Sequence, residues 1–325
     1  MKLALLDDYQ NLALSLADWD RLRKRGVEVT AFNEAFAGED EAAKALAPFD
    51  IVCLMRERTP FPGTLVARLP KLKFVTLTGL RSPSLDSAAC TARRIPISTT
   101  AGGNSTASTA ELAWGLVIAS ARDLAKGERN LRAGRWHQDL AGGMILEGRR
   151  LGLLGLGRLG TRVAGYGRAF GMDVVAWSQN LTDERAQAAG ARRVAFDELL
   201  ATADVTSIHL VLSPRTRGLL DAKAFAKMKP GSILVNTSRG PIIDEAALLA
   251  ALEHGPLGHA GLDVFDREPL PADHPLTKRG NVTLAPHLGY VSTEIYTVFY
   301  RETLEDVEAW LDRKPIRVMN PEALA

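Results

Sequence analysis

The sequence has only two cysteines among its 325 residues, Cys53 and Cys90. Neither lies in a CxxC pair or another ligand spacing, so the pattern excludes a disulfide scaffold and a cysteine-based metal site. We expect both thiols to be reduced core residues of a cytoplasmic protein, and we expect no metal.

A charge excess and long apolar runs are also missing. The net charge is only +2, from 40 basic and 38 acidic residues, which gives no reason to expect a nucleic-acid or membrane partner. No apolar run approaches the length of a membrane span, and the opening MKLALLDDYQ is typical of a strand followed by acids, not of a signal peptide. The length allows two domains, each with its own core.

The most informative stretch runs from Arg150 to Phe170, where a short apolar strand pattern meets a GxGxxG turn and then a helical pattern. Gly155 would permit the tight turn, Gly157 would let backbone amides approach a pyrophosphate, and Gly160 would let the helix pack on its strand. The pyrophosphate would lie at the helix N-terminus. A plain corner between strand and helix is the alternative, but the strand before the turn and the helix after it favour dinucleotide binding.

The second strand of this unit, DVVAW, ends at Ser178, followed by Gln179 and Asn180. A carboxylate at this position favours NAD and an arginine favours NADP. Because all three residues are uncharged, the sequence leaves the choice between NAD and NADP open, and we expect activity with both.

The first hundred residues alternate short apolar strands with helical patterns, including helices predicted over Asn11–Lys24 and Asp86–Arg93. The loop Thr78 to Ser82 follows the fourth strand, where open α/β sheets present ligands, although a plain connection is the simpler interpretation. Near residue 100 the small, polar stretch TTAGGNSTAST marks a linker and the start of a long helix. Alternation then resumes, so two parallel, doubly wound sheets are predicted.

Three chemically active side chains fall just beyond strand ends of the second sheet. Arg239 follows SILVN, Glu268 follows HAGLDVF, and His287 follows VTLAP. Each alone could be an ion pair, a turn cap or a surface histidine, but three at one ligand edge indicate an active site.

Four motifs in order, GLGRLG, VNTSRG, GLDVFDREP and APHLGY, resemble those of the D-isomer-specific 2-hydroxyacid dehydrogenases over nearly the whole chain. The resemblance implies two Rossmann-like α/β domains. The cofactor domain, 102–291, would be inserted in the middle of a substrate-binding domain formed by 1–101 and 292–325. It also implies a homodimer formed through the cofactor domain.

The resemblance further implies the site residues. Arg239, Glu268 and His287 would be the catalytic set. The substrate would contact Arg239 and His287 together with Gly79, Leu80 and Arg81. The cofactor, NAD or NADP with NAD slightly favoured by the family, would contact Thr106, Gly155, Gly157, Arg158, Leu159, Gly160, Ser178, His209, Thr216, Thr237, Ser238, Asp263 and Gly289. Two departures are Ser178, where many members have aspartate, and Val211, where many have proline.

The predicted activity is the interconversion of a small D-2-hydroxy acid and its 2-oxo acid. The substrate range would be like that of glyoxylate and hydroxypyruvate reductases or of phosphoglycerate dehydrogenases. His287 would donate the proton to the carbonyl oxygen, and Glu268 would keep His287 protonated. Arg239 would hold the substrate carboxylate. A non-catalytic NAD(H)-sensing corepressor on the same fold is the alternative. Turnover of 2-oxo acids would separate the two.

Overall fold

The computed structural model describes all 325 residues, from Met1 to Ala325. Its strands are β1 Lys2–Leu5, β2 Glu28–Ala31, β3 Ile51–Leu54, β4 Phe74–Leu77, β5 Ile97–Thr99, β6 Arg150–Leu154, β7 Asp173–Trp177, β8 Arg192–Arg193, β9 Val205–Ile208, β10 Ser232–Asn236, β11 Leu257–Leu262 and β12 Val282–Leu284.

The α-helices are α1 Asp20–Arg23, α2 Glu39–Leu46, α3 Gly63–Ala67, α4 Ser87–Ala92, α5 Ser105–Ala121, α6 Leu124–Arg132, α7 Arg158–Ala169, α8 Asp183–Ala188, α9 Phe196–Thr202, α10 Ala222–Ala226, α11 Glu245–Glu253 and α12 Thr293–Leu311. Short 3-10 helices cover Gly240–Ile242, Pro275–Lys278 and Pro321–Leu324.

The chain forms two compact units, one built from Met1–Asn104 with Ser292–Ala325 and the other from Ser105–Val291. The first unit contains a parallel sheet in the order β2-β1-β3-β4-β5. β3 and β4 are buried along their whole length because helices cover both faces, which is why their sequences are continuous apolar runs.

The chain's last segment belongs to the first unit because it bonds to β5. Asn320 is buried, and its side chain accepts a hydrogen bond from the amide of Ile97 and donates to the carbonyl of Ile95, at 2.7 and 3.0 Å. The Arg317 guanidinium donates to the buried carboxylate of Asp306 on α12 at 2.8 Å. These bonds hold the C-terminal residues beside the edge strand of the sheet.

The second unit contains a seven-stranded parallel sheet in the order β12-β11-β10-β9-β6-β7-β8. The first strand of this unit, β6, lies inside the sheet. β7 and β8 follow on one side of it and β9 to β12 on the other, so the strand order reverses between β6 and β9. Open α/β sheets bind ligands beyond the carboxyl ends of the strands at such a reversal. The loops after β6 and β9 therefore mark the place to look for a site.

The predicted α/β class with two parallel, doubly wound sheets is confirmed. The helix predicted over Asn11–Lys24 is wrong, since only α1 is helical in that stretch. The Asp8 carboxylate accepts the amides of Leu12 and Ala13, and the Trp19 indole donates to the carbonyl of Ala13. The indole thus takes the carbonyl of Ala13, which a helix over this stretch would pair with a later amide. The two-residue strand β8 was not predicted.

No helix of the structure is both long enough and apolar enough to cross a lipid bilayer.

Candidate active site

The glycine turn after β6 has the shape that its spacing predicts. Gly155 has φ +102° and its amide donates to the carbonyl of Trp177 at 2.8 Å. A Cβ at Gly160 would collide with the backbone carbonyl of Gly155, so only glycine lets α7 come this close to β6. A Cβ at Gly157 would meet nothing within 4 Å, and no side chain caps the first turn of α7. The turn thus leaves open space in front of uncapped helix amides, which suits a pyrophosphate.

Two enclosed polar atoms lie on the loops that follow neighbouring strands. The His209 ring, after β9, bonds through Nε2 to the Ser207 hydroxyl at 3.0 Å, while its Nδ1 has no hydrogen-bond partner. Burial lowers the pKa of His209 to about 4, so the ring is neutral at pH 7. The buried Thr237 hydroxyl, after β10, also has no partner. Buried polar groups are normally satisfied, so these atoms fit a polar ligand such as a dinucleotide at this edge.

The loop after β10 is shaped by the Asn236 side chain. Its amide nitrogen donates to the carbonyl of Arg239 at 2.9 Å, and its oxygen accepts the amide of Ser238 at 2.9 Å. The Ser238 hydroxyl donates to the carbonyl of Leu210. Arg239 is half-buried, and its Nη1 donates to the carbonyl of Ser238 at 2.7 Å. This network fixes a guanidinium at the carboxyl edge of the sheet.

The loop after β12 is organised by Asp263, a fully buried carboxylate at the end of β11. It accepts the amides of Leu288 and Gly289 at 2.6 and 3.0 Å, and its carbonyl accepts the amide of His287 at 2.9 Å. Burial raises the pKa of Asp263 to about 6, although the two amides lower it. His287 has φ +54°, a conformation that few residues adopt and that these three bonds maintain.

His287 and Glu268 are in direct side-chain contact. His287 Nδ1 lies 2.5 Å from Glu268 Oε2, and the other carboxylate oxygen accepts the amide of Phe265 at 2.9 Å. Burial raises the pKa of Glu268, but the hydrogen bond and charge of His287, helped by the Phe265 amide and by Arg239, outweigh it and hold the pKa below its ordinary value. The carboxylate is therefore ionised and bonded to Nδ1 of the ring.

The remaining predicted cofactor residues are also placed in the second unit. Thr216 fixes its own loop, since its hydroxyl donates to the carbonyl of Val211 at 2.7 Å and accepts the amide of Ser213 at 2.8 Å. Arg158 is the exposed first residue of α7, Leu159 packs partly against the core, Thr106 lies in the first turn of α5, and Ser178 is half-buried at the end of β7.

The predicted substrate loop lies in the first unit, after β4. Gly79 has φ +81°, and its amide donates to the Thr100 hydroxyl at 2.9 Å. Leu80 is 66% exposed and Arg81 is exposed as well. A large apolar side chain and a guanidinium thus both reach solvent beyond a carboxyl strand end.

Sequence reasoning missed a polar cluster after β1 and β3, at the strand-order reversal of the first sheet. The buried Asp7 carboxylate accepts the hydroxyls of Tyr9 and Thr59 at 3.0 and 2.9 Å, and the Arg58 guanidinium lies 4.9 Å from the centre of the Tyr9 ring. The sequence signal was present, because DDYQ and RERT each directly follow a strand pattern. No grouping of three or more metal-ligand side chains occurs in the structure.

Comparison with known proteins agrees with this geometry. Residues 114–289 match the model of the D-isomer specific 2-hydroxyacid dehydrogenase family, NAD binding domain. The chain is 34% identical to D-3-phosphoglycerate dehydrogenase of Archaeoglobus fulgidus over 92% of the chain and 56% of that protein. It is 36% identical to glyoxylate reductase of Aeropyrum pernix over 80% of each chain.

Among solved structures, an oxidoreductase from Ralstonia solanacearum superimposes with a TM-score of 0.93 and 35% identity, covering 100% of this chain and 98% of that one. The chain therefore belongs to the D-isomer-specific 2-hydroxyacid dehydrogenase family, as the four motifs predict, and the family match supports NAD or NADP as cofactor. It spans about half the length of the phosphoglycerate dehydrogenases that it matches.

The glycine turn yields a test on one helix. Gly160→Ala should destabilise the protein by about 1–3 kcal/mol, because the new methyl meets backbone that cannot move away. Gly165→Ala is the matched control: it lies in the same helix with nothing within 4 Å, and should raise stability by up to about 1 kcal/mol. Thermal melts followed by circular dichroism compare them. Equal melting temperatures for the two variants would contradict the close approach of α7 to β6.

Proposed function

We propose that the protein is an NAD(P)-dependent oxidoreductase that interconverts a D-2-hydroxy acid and its 2-oxo acid. The observation that carries this proposal is the contact between Glu268 and His287, with Arg239 at the same carboxyl edge as the glycine turn. An ionised carboxylate, an imidazole and a guanidinium are the groups that reduction of a charged carbonyl compound needs.

We assign the two units different tasks. The unit that contains the glycine turn would be the cofactor domain, and the unit built from both chain ends would be the substrate-binding domain. In this assignment the first unit contributes the loop of Gly79, Leu80 and Arg81. The cofactor domain would supply Arg239, Glu268 and His287.

Substrate binding begins with Arg239. Its guanidinium offers paired N–H groups that match a carboxylate, and a fixed cation beside the carbonyl stabilises the negative charge that grows on the oxygen during reduction. The Asn236 side chain holds the Arg239 carbonyl in place, so the cation would be positioned before substrate arrives.

Proton transfer is the task of His287. The reduced cofactor, when held at the glycine turn, would supply the hydride for the carbonyl carbon. His287 Nε2 donates a proton to the carbonyl oxygen, while Nδ1 stays on the Glu268 carboxylate, which stabilises the protonated ring. In the oxidative direction the same nitrogen accepts the proton of the hydroxyl group.

The relatives indicate the chemical class of the substrate, not one particular acid. The similar proteins are a phosphoglycerate dehydrogenase and a glyoxylate reductase, so we propose a small 2-oxo acid such as glyoxylate, hydroxypyruvate or its phosphorylated form. Screening these acids with NADH and NADPH tests the proposal. Tight cofactor binding without any turnover would favour the NAD(H)-sensing alternative.

We also propose a cytoplasmic homodimer. Both cysteines are free and buried, as suits a reducing compartment. The second unit exposes four large apolar side chains within a short span, more than an isolated surface favours: Leu124 at 53%, Leu131 at 60%, Trp136 at 68% and Ile145 at 74%. A second copy of the chain would cover them.

Replacing His287 separates chemistry from cofactor binding. His287→Ala should lower turnover about 10²–10⁴-fold, the usual loss when an acid–base group is removed. The dissociation constant for NADH, measured by fluorescence titration, should change less than about twofold because the ring acts on the substrate oxygen. His254→Ala, whose side chain is 82% exposed, is the control and should keep full turnover. Normal turnover in His287→Ala would remove this residue from the acid role.

Replacing Glu268 tests its contact with His287 through pH. The interaction that lowers the pKa of Glu268 must, by reciprocity, favour the protonated imidazole. In Glu268→Gln that anion is removed, and the alkaline limb of kcat/KM for reduction should move to lower pH. Glu245→Gln breaks a second contact between a glutamate and a histidine, with His274 at 3.0 Å, and should leave the profile unchanged. Superimposable profiles for Glu268→Gln and the unmodified protein would refute the pairing.

The molecular mass of the protein in solution tests the proposed dimer. Light scattering of the 35.1 kDa chain should give about twice that mass, and Trp136→Asp should shift it toward the monomer because a charge would enter an apolar interface. Leu14→Asp changes a 48% exposed leucine of the other unit and should leave the mass unchanged. A monomeric unmodified protein would dismiss the proposal.

A further inference from the structure

The cofactor unit has no carboxylate at the end of β7, where one would bind the adenosine ribose hydroxyls of NAD. Ser178 is half-buried there, and the exposed Gln179 and Asn180 follow. The next acids along the chain are Asp183, which lies 3.6 Å from Arg193, and Glu184 at the start of α8.

An arginine from a distant loop reaches this position instead. Arg215, in the loop after β9, donates from Nη1 to the side-chain oxygen of Gln179 at 3.1 Å. Because β6 lies between β9 and β7 in the sheet, this bond crosses the carboxyl end of β6, where the glycine turn lies. The hydroxyl of Thr216 ties down the loop beside Arg215, at 2.7 Å from the carbonyl of Val211.

The charge of Arg215 is not neutralised within the protein. Its side chain is exposed and forms no ion pair, since Gln179 is a neutral amide. The same unit has two further arginines on segments that flank β7 in sequence. Arg158 is the exposed first residue of α7, and Arg185 donates to the carbonyl of Asn180 at 3.5 Å. At the end of β7 the Arg215 guanidinium is therefore a cation with no carboxylate bonded to it.

We propose that Arg215 recognises the 2′-phosphate of NADP(H) and that the protein prefers NADP(H) to NAD(H). The inference rests on the proposed function, because it assumes that a dinucleotide lies along the glycine turn. A guanidinium matches the geometry of a phosphate and gives charge-assisted hydrogen bonds, whereas it gains little from two neutral ribose hydroxyls. Gln179 holds the guanidinium at the end of β7 without cancelling its charge.

The experiment measures dissociation constants for NADPH and NADH by fluorescence titration, and for 2′,5′-ADP by calorimetry. The unmodified protein should bind NADPH more tightly than NADH. Arg215→Ala should weaken NADPH and 2′,5′-ADP about 10- to 100-fold, the usual worth of a charge-assisted hydrogen bond, while NADH changes less than about twofold. Lys223→Ala removes one exposed cation from α10 of the same unit and is the control.

A second variant adds a negative charge at the same place. Gln179→Glu would pair with Arg215 and put a carboxylate next to Ser178, the position where many members of the family have aspartate, so NADPH should bind more weakly and NADH at least as well. Both variants alter exposed side chains, and circular dichroism confirms that each is folded.

The outcomes separate this inference from the proposed function. Equal affinities for NADPH and NADH in the unmodified protein, or an equal loss of both in Arg215→Ala, would overturn the role of Arg215 while 2-oxo acid reduction still stood. If neither dinucleotide binds, the proposed function fails and this inference fails with it. Selective loss of NADPH and 2′,5′-ADP supports it.

Discussion

The buried carboxylate of Asp263 is the constraint on which the rest of the site depends. Its bonds to the amides of Leu288 and Gly289 keep His287 in a left-handed conformation, and this places the imidazole against Glu268. Burying a carboxylate is costly, as its raised pKa shows, and the cost is offset only while both amides point at it. The geometry of the proposed acid thus depends on a residue that does not contact its ring.

The sheet explains why the candidate residues meet although they are far apart in sequence. All strands of the second sheet run parallel, so each loop that follows a strand emerges at one edge. Gly155, His209, Arg239 and Glu268 follow four different strands of that sheet and are brought to that edge by topology alone. Chemistry at this edge therefore needs no single contiguous segment.

Much of this could be predicted from the sequence because the signals are local. The strand before GxGxxG, the spacing of the glycines and the residues after SILVN and VTLAP all lie within short windows. The helix over Asn11–Lys24 was wrong for the opposite reason. Its apolar spacing is real, but the Trp19 indole takes the Ala13 carbonyl that a helix would pair, and such competition is visible only once the chain has folded.

The choice between NAD and NADP is a second property that a short sequence window does not predict. The residue after β7 is the usual place to look, and Ser178 there gives no decision. The guanidinium that bonds to the neighbouring Gln179 comes from Arg215, 36 positions further along the chain than Gln179 and across an intervening strand. Charge at the carboxyl end of β7 is thus set jointly by two loops, because the sheet order brings them together. An uncharged residue after the second strand does not by itself mean an uncharged site.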